Sequence, residues 1–329
     1  MAVSAGLIAV VVVSVDRSAL AANLARIDPV GLLPAIVLIW STTFVSAWRW
    51  SIVIRSLRPA AALRPTYWRL WSLYWIGQFF NQLLPSGLGG DGMRMWLLRR
   101  TGLPTGTAIT SVVVDRVAAL AAIALLVAAV LPFAFDGANG NAVPVWLWGV
   151  VAACAFGVAF VAGMGAVRLP ASALFASSLF ANPLIRGLRR LGADFWTLMR
   201  QPGHLAAALG ASVVVQMLGA ASVYAIAQSL GVRVGLLPCL ALMPIVVLAT
   251  AVPVSIAGWG VREVAMVAVL ATIGVAQESA LLISVFYGGI AVATSLPGGV
   301  LWLFGRRADG DRQTASKSPL TRAAQSAAE

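Results

Sequence analysis

Between residues 30 and 304 the chain is a succession of apolar runs, most of them at least about 20 residues long, parted by short basic stretches. In hydrocarbon there is no water to satisfy the backbone, so such a run must become a helix that bonds its own N–H and C=O groups. Membrane β-strands alternate apolar and polar positions over roughly 10 residues, and these runs do not alternate. The chain is 60% hydrophobic and 10% charged, too little polar surface to cover a water-soluble core. A soluble enzyme, a disordered protein, a disulfide scaffold and a nucleic-acid binder are thereby excluded. The fold class is an all-α polytopic membrane protein.

Six full spans are read from the pattern. The first, residues 1–15, is short and lacks the basic start and small-residue cleavage site of a signal peptide. The others lie near residues 30–54, 105–135, 144–167, 204–230 and 280–304. Over 171–201, Leu184, Leu188, Leu191, Phe195 and Leu198 recur at helical spacing with Arg186, Arg189 and Arg190 between them. That pattern predicts an amphipathic helix lying in the membrane interface. Residues 1–304 form a single transmembrane domain, and 305–329 read as a disordered cytoplasmic tail.

Two stretches, about 67–100 and 236–275, are apolar arms interrupted by Pro and Gly. Pro85-Ser86-Gly87-Leu88-Gly89-Gly90-Asp91 breaks the first and Pro253-Val254-Ser255-Ile256-Ala257-Gly258-Trp259-Gly260 the second. No helix continues through such clusters. Broken backbone is tolerated at membrane depth only where protein or a polar cavity surrounds it, so each stretch is expected to be a re-entrant helical hairpin. The positive-inside rule then places both termini in the cytoplasm, in a plasma-membrane protein. Seventeen of the 23 Lys and Arg, Arg49, Arg55, Arg99 and Arg100 among them, fall on the cytoplasmic side. Arg17, Arg26 and Arg233 fall outside, and Arg94, Arg116 and Arg262 stay in the membrane. The hairpins enter from opposite sides.

The breaks also match in detail. Pro85, Gly90, Gly92 and Arg94 have the spacing of Pro253, Gly258, Gly260 and Arg262, 168 residues further on. Interrupted segments at corresponding places in two halves mark the inverted repeats of transporters. A half-helix starting inside the membrane aims free N–H groups and a positive dipole end at its surroundings. An arginine in its first turn makes each tip a candidate site for phosphate or carboxylate. Asn81 and Gln82 either line a cavity or cap loosened backbone, and Trp259 either anchors the second tip or packs there. Trp40, Trp48, Trp50, Trp68, Trp71 and Trp75 read as interfacial and packing residues.

Asp91, Asp115 and Glu263 balance the three intramembrane arginines. A charge alone at mid-depth costs roughly 2.5 kcal/mol or more. Adjacent helical residues point about 100° apart, so Asp115 cannot fully face Arg116. Asp115 is therefore expected to pair with Arg262 or Arg94, and Arg116 with Asp91 or Glu263. The network serves either as a lock on the bundle or as a polar substrate path. Cys154 and Cys239 sit in apolar runs and His204 is the single histidine, so no metal site, disulfide or cofactor is expected.

Asn81–Arg94, Ser111–Arg116 and Pro253–Glu263 together resemble the flippase-like transmembrane region of lysylphosphatidylglycerol synthases, over nearly the whole chain. Ala119 and Ala257 stand where that family often has glycine. The resemblance implies a membrane domain that translocates or presents an anionic or glycosylated lipid between leaflets. It also implies that the soluble aminoacyl-transferring half is absent, because about 25 residues follow the last span, and hence that the chain is not an enzyme. The partners expected are a membrane lipid with an anionic head group and, if the chain is a non-transporting scaffold instead, a separate lipid-modifying transferase.

Overall fold

A computed structural model describes residues 27–57, 65–84, 89–136, 144–166, 183–251 and 257–316. The span assigned to residues 1–15, the tip residues 85–88 and 252–256, and the chain beyond Ser316 lie outside the described residues. The described chain is helical throughout, without a strand. In order the helices are α1 (Leu33–Leu57), α2 (Tyr67–Leu83), α3 (Gly89–Arg99), α4 (Thr105–Asp136) and α5 (Val145–Ala166). There follow α6 (Pro183–Met199), α7 (Pro202–Ser229), α8 (Leu236–Ala251), α9 (Val261–Ala271) and α10 (Gln277–Ser316).

Five segments are long and apolar enough to cross a bilayer: Val30–Leu57, Thr105–Ala134, Val145–Gly163, Pro202–Ser229 and Gln277–Gly305. They coincide with the five expected spans that fall on described residues. The arms of the interrupted stretches are shorter. α2 and α8 have 17 and 16 residues, α3 and α9 have 11 each. At about 1.5 Å per residue none reaches the roughly 30 Å of a hydrocarbon core. Within each pair the second arm folds back against the first.

The packing partners exchange in pairs. α2 lies against α10, the helix after the second hairpin, and α8 lies against α4, the helix after the first. α1 and α7, which precede the two hairpins, pack on each other. α2 approaches α10 closely because Gly298 and Gly299 have no side chains. A Cβ on Gly298 would strike the Trp75 carbonyl, and one on Gly299 would come within 2.7 Å of the Phe79 ring. The indole N–H of Trp75 donates to the Thr294 carbonyl at 2.8 Å, tying the same helices.

Two expectations change. Arg49 is not a cytoplasmic surface charge: it is buried in α1, because a buried carboxylate on α4 awaits it. The last helix does not stop at Phe304 but runs to Ser316. No proline interrupts residues 305–316, and extending an existing helix is far cheaper than nucleating one. Of the tryptophans read as interfacial and packing residues, Trp50 and Trp75 are packing residues, both buried. In α6 the apolar stripe finds protein: Phe195 and Leu198 are buried with Val53, Val114 and Val117. The Trp196 indole N–H donates to the Ala162 carbonyl at 2.6 Å.

Candidate functional site

Two charged constellations occupy the interior, and they differ in kind. The first joins four helices. Arg49 of α1 grips Asp115 of α4 with both ends of its fork, Nε to Oδ1 at 2.7 Å and Nη2 to Oδ2 at 3.1 Å. Its third nitrogen, Nη1, donates to Ser212 Oγ of α7 at 3.1 Å. From α3, Arg94 Nη2 reaches Asp115 Oδ2 at 3.2 Å and Nη1 reaches Asp91 Oδ1 at 3.3 Å. Arg116 Nε donates to Asp91 Oδ2 at 2.7 Å. Arginine and aspartate thus alternate along Arg49, Asp115, Arg94, Asp91 and Arg116. Asp115 is wholly buried and Arg94 is 3% exposed, whereas half of the Arg116 side chain is exposed.

The Arg94 guanidinium also lies against the rings of Trp50 and Tyr74, 4.3 Å from the centre of each, the two rings being tilted 60° to one another. Trp50 is fixed in turn by donation to Ser111 Oγ at 3.2 Å. A Cβ on Gly77 would fall 2.6 Å from Arg94 Cγ. Arg94 is therefore buried among ion pairs, rings and the Gly77 backbone, although its Nε has no hydrogen-bond partner among the described residues. Asp115 meets Arg94 and Arg116 meets Asp91, both among the expected pairings, but the closest and bidentate partner of Asp115 is Arg49, which lies outside them. The structure does not bring Arg262 to Asp115.

Glycine serves the tip of this hairpin unequally. Gly90 N–H donates to Asn81 Oδ1 at 2.8 Å, so Asn81 caps the start of α3. A Cβ on Gly90 would collide with the Gly77 carbonyl, while one on Gly92 would meet nothing within 4 Å. Gly90→Ala is expected to force α2 and α3 apart and cost about 1–3 kcal/mol by overpacking. Gly92→Ala is expected to be neutral or slightly stabilising. Thermal unfolding of the two variants in one detergent measures the contrast.

The second constellation is compact and, like the first, buried: Arg262 and Glu263 are 5% and 3% exposed. Gly258 and Gly260 take φ values of 79° and 88°, and Ala257 takes 52°. This left-handed turn launches α9 with Arg262 and Glu263 in its first turn. Glu263 accepts the Gly260 N–H on Oε2 and the Ser284 hydroxyl on Oε1, the latter at 3.2 Å. Arg262 donates to Glu263 Oε1 from Nε at 3.1 Å and Nη2 at 2.8 Å, and its guanidinium lies 4.3 Å from the centre of the Trp259 ring. Gly288 makes room, since a Cβ there would overlap the guanidinium. The free N–H at the helix start is thus already bound by Glu263.

Arg262 forms part of the wall of a cavity of about 230 Å³ between α1, α2, α8 and α10. Gln78, Gln82, Thr43, Thr250 and Tyr287 add polar groups to that wall. Gln82 Oε1 is buried with no hydrogen-bond partner among the described residues. Gln78, missed from sequence, accepts from Asn81 Nδ2 at 3.2 Å; it lies one helical turn before Gln82, the spacing that puts two residues on one face. Of the site residues named from sequence, Arg262 and Gln82 line this space, while Gly258, Trp259, Gly260 and Glu263 are not in its wall. Asp91, Arg94, Asp115 and Arg116 form the separate ion chain. Among the described residues no group of His, Cys, Asp and Glu is placed to hold a metal ion.

Ala257 carries a strain that glycine would not. Left-handed backbone costs an L-residue about 1–2 kcal/mol. Ala257→Gly is expected to raise thermal stability by about 1 kcal/mol once glycine's greater freedom in the unfolded chain is deducted. The unfolding midpoint in detergent checks it; an unchanged or lower midpoint contradicts it.

Comparison with curated proteins returns no match. A family model, described as lysylphosphatidylglycerol synthase TM region, matches residues 1–298. The interrupted arms, the Asp-Arg pair of α4 and the arginine that starts α9 all lie inside that match, and the chain belongs to the lysylphosphatidylglycerol synthase transmembrane-region family.

Proposed function

We propose that this protein binds an anionic lipid at the Arg262 cavity and moves it between the leaflets of the plasma membrane. The observation that carries the reading is a polar space walled by a guanidinium and two glutamines in a bundle of apolar helices. Such a space suits a phosphate or carboxylate that must leave water while its hydrocarbon stays in lipid. An arriving phosphate competes with Glu263 for Arg262, so loading and release are coupled to a rearrangement of one ion pair. Asp91 and Asp115 are both engaged by arginines.

In this reading α2–α3 and α8–α9 are re-entrant hairpins of opposite orientation, a further span precedes α1, and both termini face the cytoplasm. The exchanged packing of α2 on α10 and α8 on α4 supports an inverted repeat. Transport then follows from rocking of one half against the other about the cavity.

The test is reconstitution into vesicles with a fluorescent phosphatidylglycerol, followed by bleaching of the outer leaflet with dithionite. Protein-containing vesicles are expected to lose the protected half of the signal well ahead of protein-free vesicles. Equal rates would contradict transport. Retained lipid binding at equal rates would instead favour a scaffold that presents lipid to a separate transferase.

A further inference from the structure

A second cavity, of about 570 Å³, lies on the outer face of the same two helices, α1 and α10. It is a groove lined by Ile36, Trp40, Phe286, Gly289, Ala293 and Pro297, with no ionisable side chain in its wall. Gly289, Ala293 and Pro297 recur every fourth residue, so one face of α10 is stripped of long side chains where the groove runs. Ile36 and Trp40 are exposed there. The groove and the polar cavity share Thr294; Ile39, next to Trp40 in sequence, lines the cavity, and Ile290 lines the groove. A guanidinium, a polar space and an apolar channel therefore follow one another along the α1–α10 seam. This order matches the charge and polarity of a phosphate-bearing lipid read from head to tail.

We infer that the lipid is held through a single hydrocarbon chain seated in the α1–α10 groove, with its phosphate at Arg262 and Thr294 at the neck between them. The inference rests on the lipid-binding reading above and adds the seat of the chain and a size limit on the ligand. A methylene occupies about as much room as a water, roughly 30 Å³. The groove thus has room for one long chain of roughly 20 methylenes. The polar cavity, at about 230 Å³, has room for a phosphate with a small polar substituent. The ligand class is accordingly a lipid phosphate with a compact head group that offers one chain to the protein.

The groove can be filled without disturbing the bundle. A Cβ on Gly289 meets nothing within 4 Å, and the same holds for Gly210 on α7, which is exposed and away from the groove. The experiment uses the full chain in phosphatidylcholine vesicles with hexadecyl phosphate carrying a diazirine near the end of its chain. After irradiation the labelled peptides are mapped by mass spectrometry. Label is expected on the stretches containing Ile36–Trp40 and Val285–Pro297. It should fall about tenfold or more in Gly289→Leu, Ala293→Leu and the paired variant Arg262→Gln/Glu263→Gln, as loss of one charged hydrogen bond or of the chain seat implies. Gly210→Leu should label like the wild type. Unlabelled hexadecyl phosphate should compete, and hexadecanol and inorganic phosphate should not.

Label lost in the Arg262/Glu263 variant but unchanged in both leucine variants overturns the chain seat and leaves the head-group reading standing. Label insensitive to all three variants overturns both. Competition by hexadecanol equal to that of the phosphate marks a groove for any hydrophobe and overturns the inference. Competition by inorganic phosphate alone shows that the chain contributes nothing, and overturns it as well.

Discussion

Asp115→Asn is expected to deplete the membrane of most folded protein. The carboxylate is wholly buried and holds Arg49 and Arg94 at once. Asparagine keeps the shape and removes the charge, leaving two buried guanidinium groups with one carboxylate, Asp91, near them. Breaking a buried pair in this way costs about 3–5 kcal/mol, a large share of the roughly 5–15 kcal/mol that holds a typical domain. Fluorescence-detected size exclusion of detergent extracts reads the loss, and a monodisperse wild-type peak from Asp115→Asn would contradict it. Arg49→Met with Asp115→Leu, which removes both charges of the closest pair, is expected to recover part of the peak. The recovery is partial because Arg94 then relies on Asp91 and the two rings alone.

Removing charge from the second tip should act on function and spare the fold. Arg262→Gln/Glu263→Gln deletes a neutral pair, so no lone charge is stranded. The amide that replaces the Glu263 carboxylate can accept the Gly260 N–H on its one oxygen, and its NH2 can donate to the Ser284 hydroxyl, which turns to accept it. The extract should elute as the wild type does. Lipid movement should fall about ten- to a hundredfold, the worth of a charge-assisted hydrogen bond of about 1.5–3 kcal/mol. Arg262→Lys should keep the charge but not the fork that meets two phosphate oxygens, and so retain only part of the rate. Wild-type rates in the paired variant, at equal protein per vesicle, would take Arg262 out of the lipid path. The two tips thus carry the same Pro/Gly/Arg spacing but differ in setting: Arg94 joins the ion chain, and Arg262, equally buried, borders the polar cavity.

That difference is not legible in the sequence, although the arms themselves are. Proline and glycine clusters end helices whatever surrounds them, so α2, α3, α8 and α9 follow from composition alone. Asp115 can be given a partner in advance because a helix cannot turn adjacent residues toward each other and a lone carboxylate is too costly in the membrane. The same reasoning fails for Arg262 and Glu263. In the first turn of α9 the Glu263 carboxylate bends back to the Gly260 N–H, and the long arginine follows it. Arg49 falls among the cytoplasmic charges in a positive-inside count because such a count treats every arginine near a span end alike. Its signal is present nonetheless, since it lies inside the apolar run at 30–54, six residues before Arg55. Asn81 and Gln82 read alike as polar neighbours of a break. Only the approach of Gly90 to α2 assigns Asn81 to the cap and leaves Gln82 to the cavity.

Lipid retained on the purified protein tests the central claim most directly. Native mass spectrometry of wild type and of Arg262→Gln/Glu263→Gln, both extracted gently from the same membranes, reads its mass and stoichiometry. The expected result is one phosphate-bearing lipid per wild-type chain, with the variant retaining little or none while the protein stays folded. Equal retention of the same lipid by both proteins, or a wild type that carries only uncharged lipid, would contradict a head-group site at Arg262.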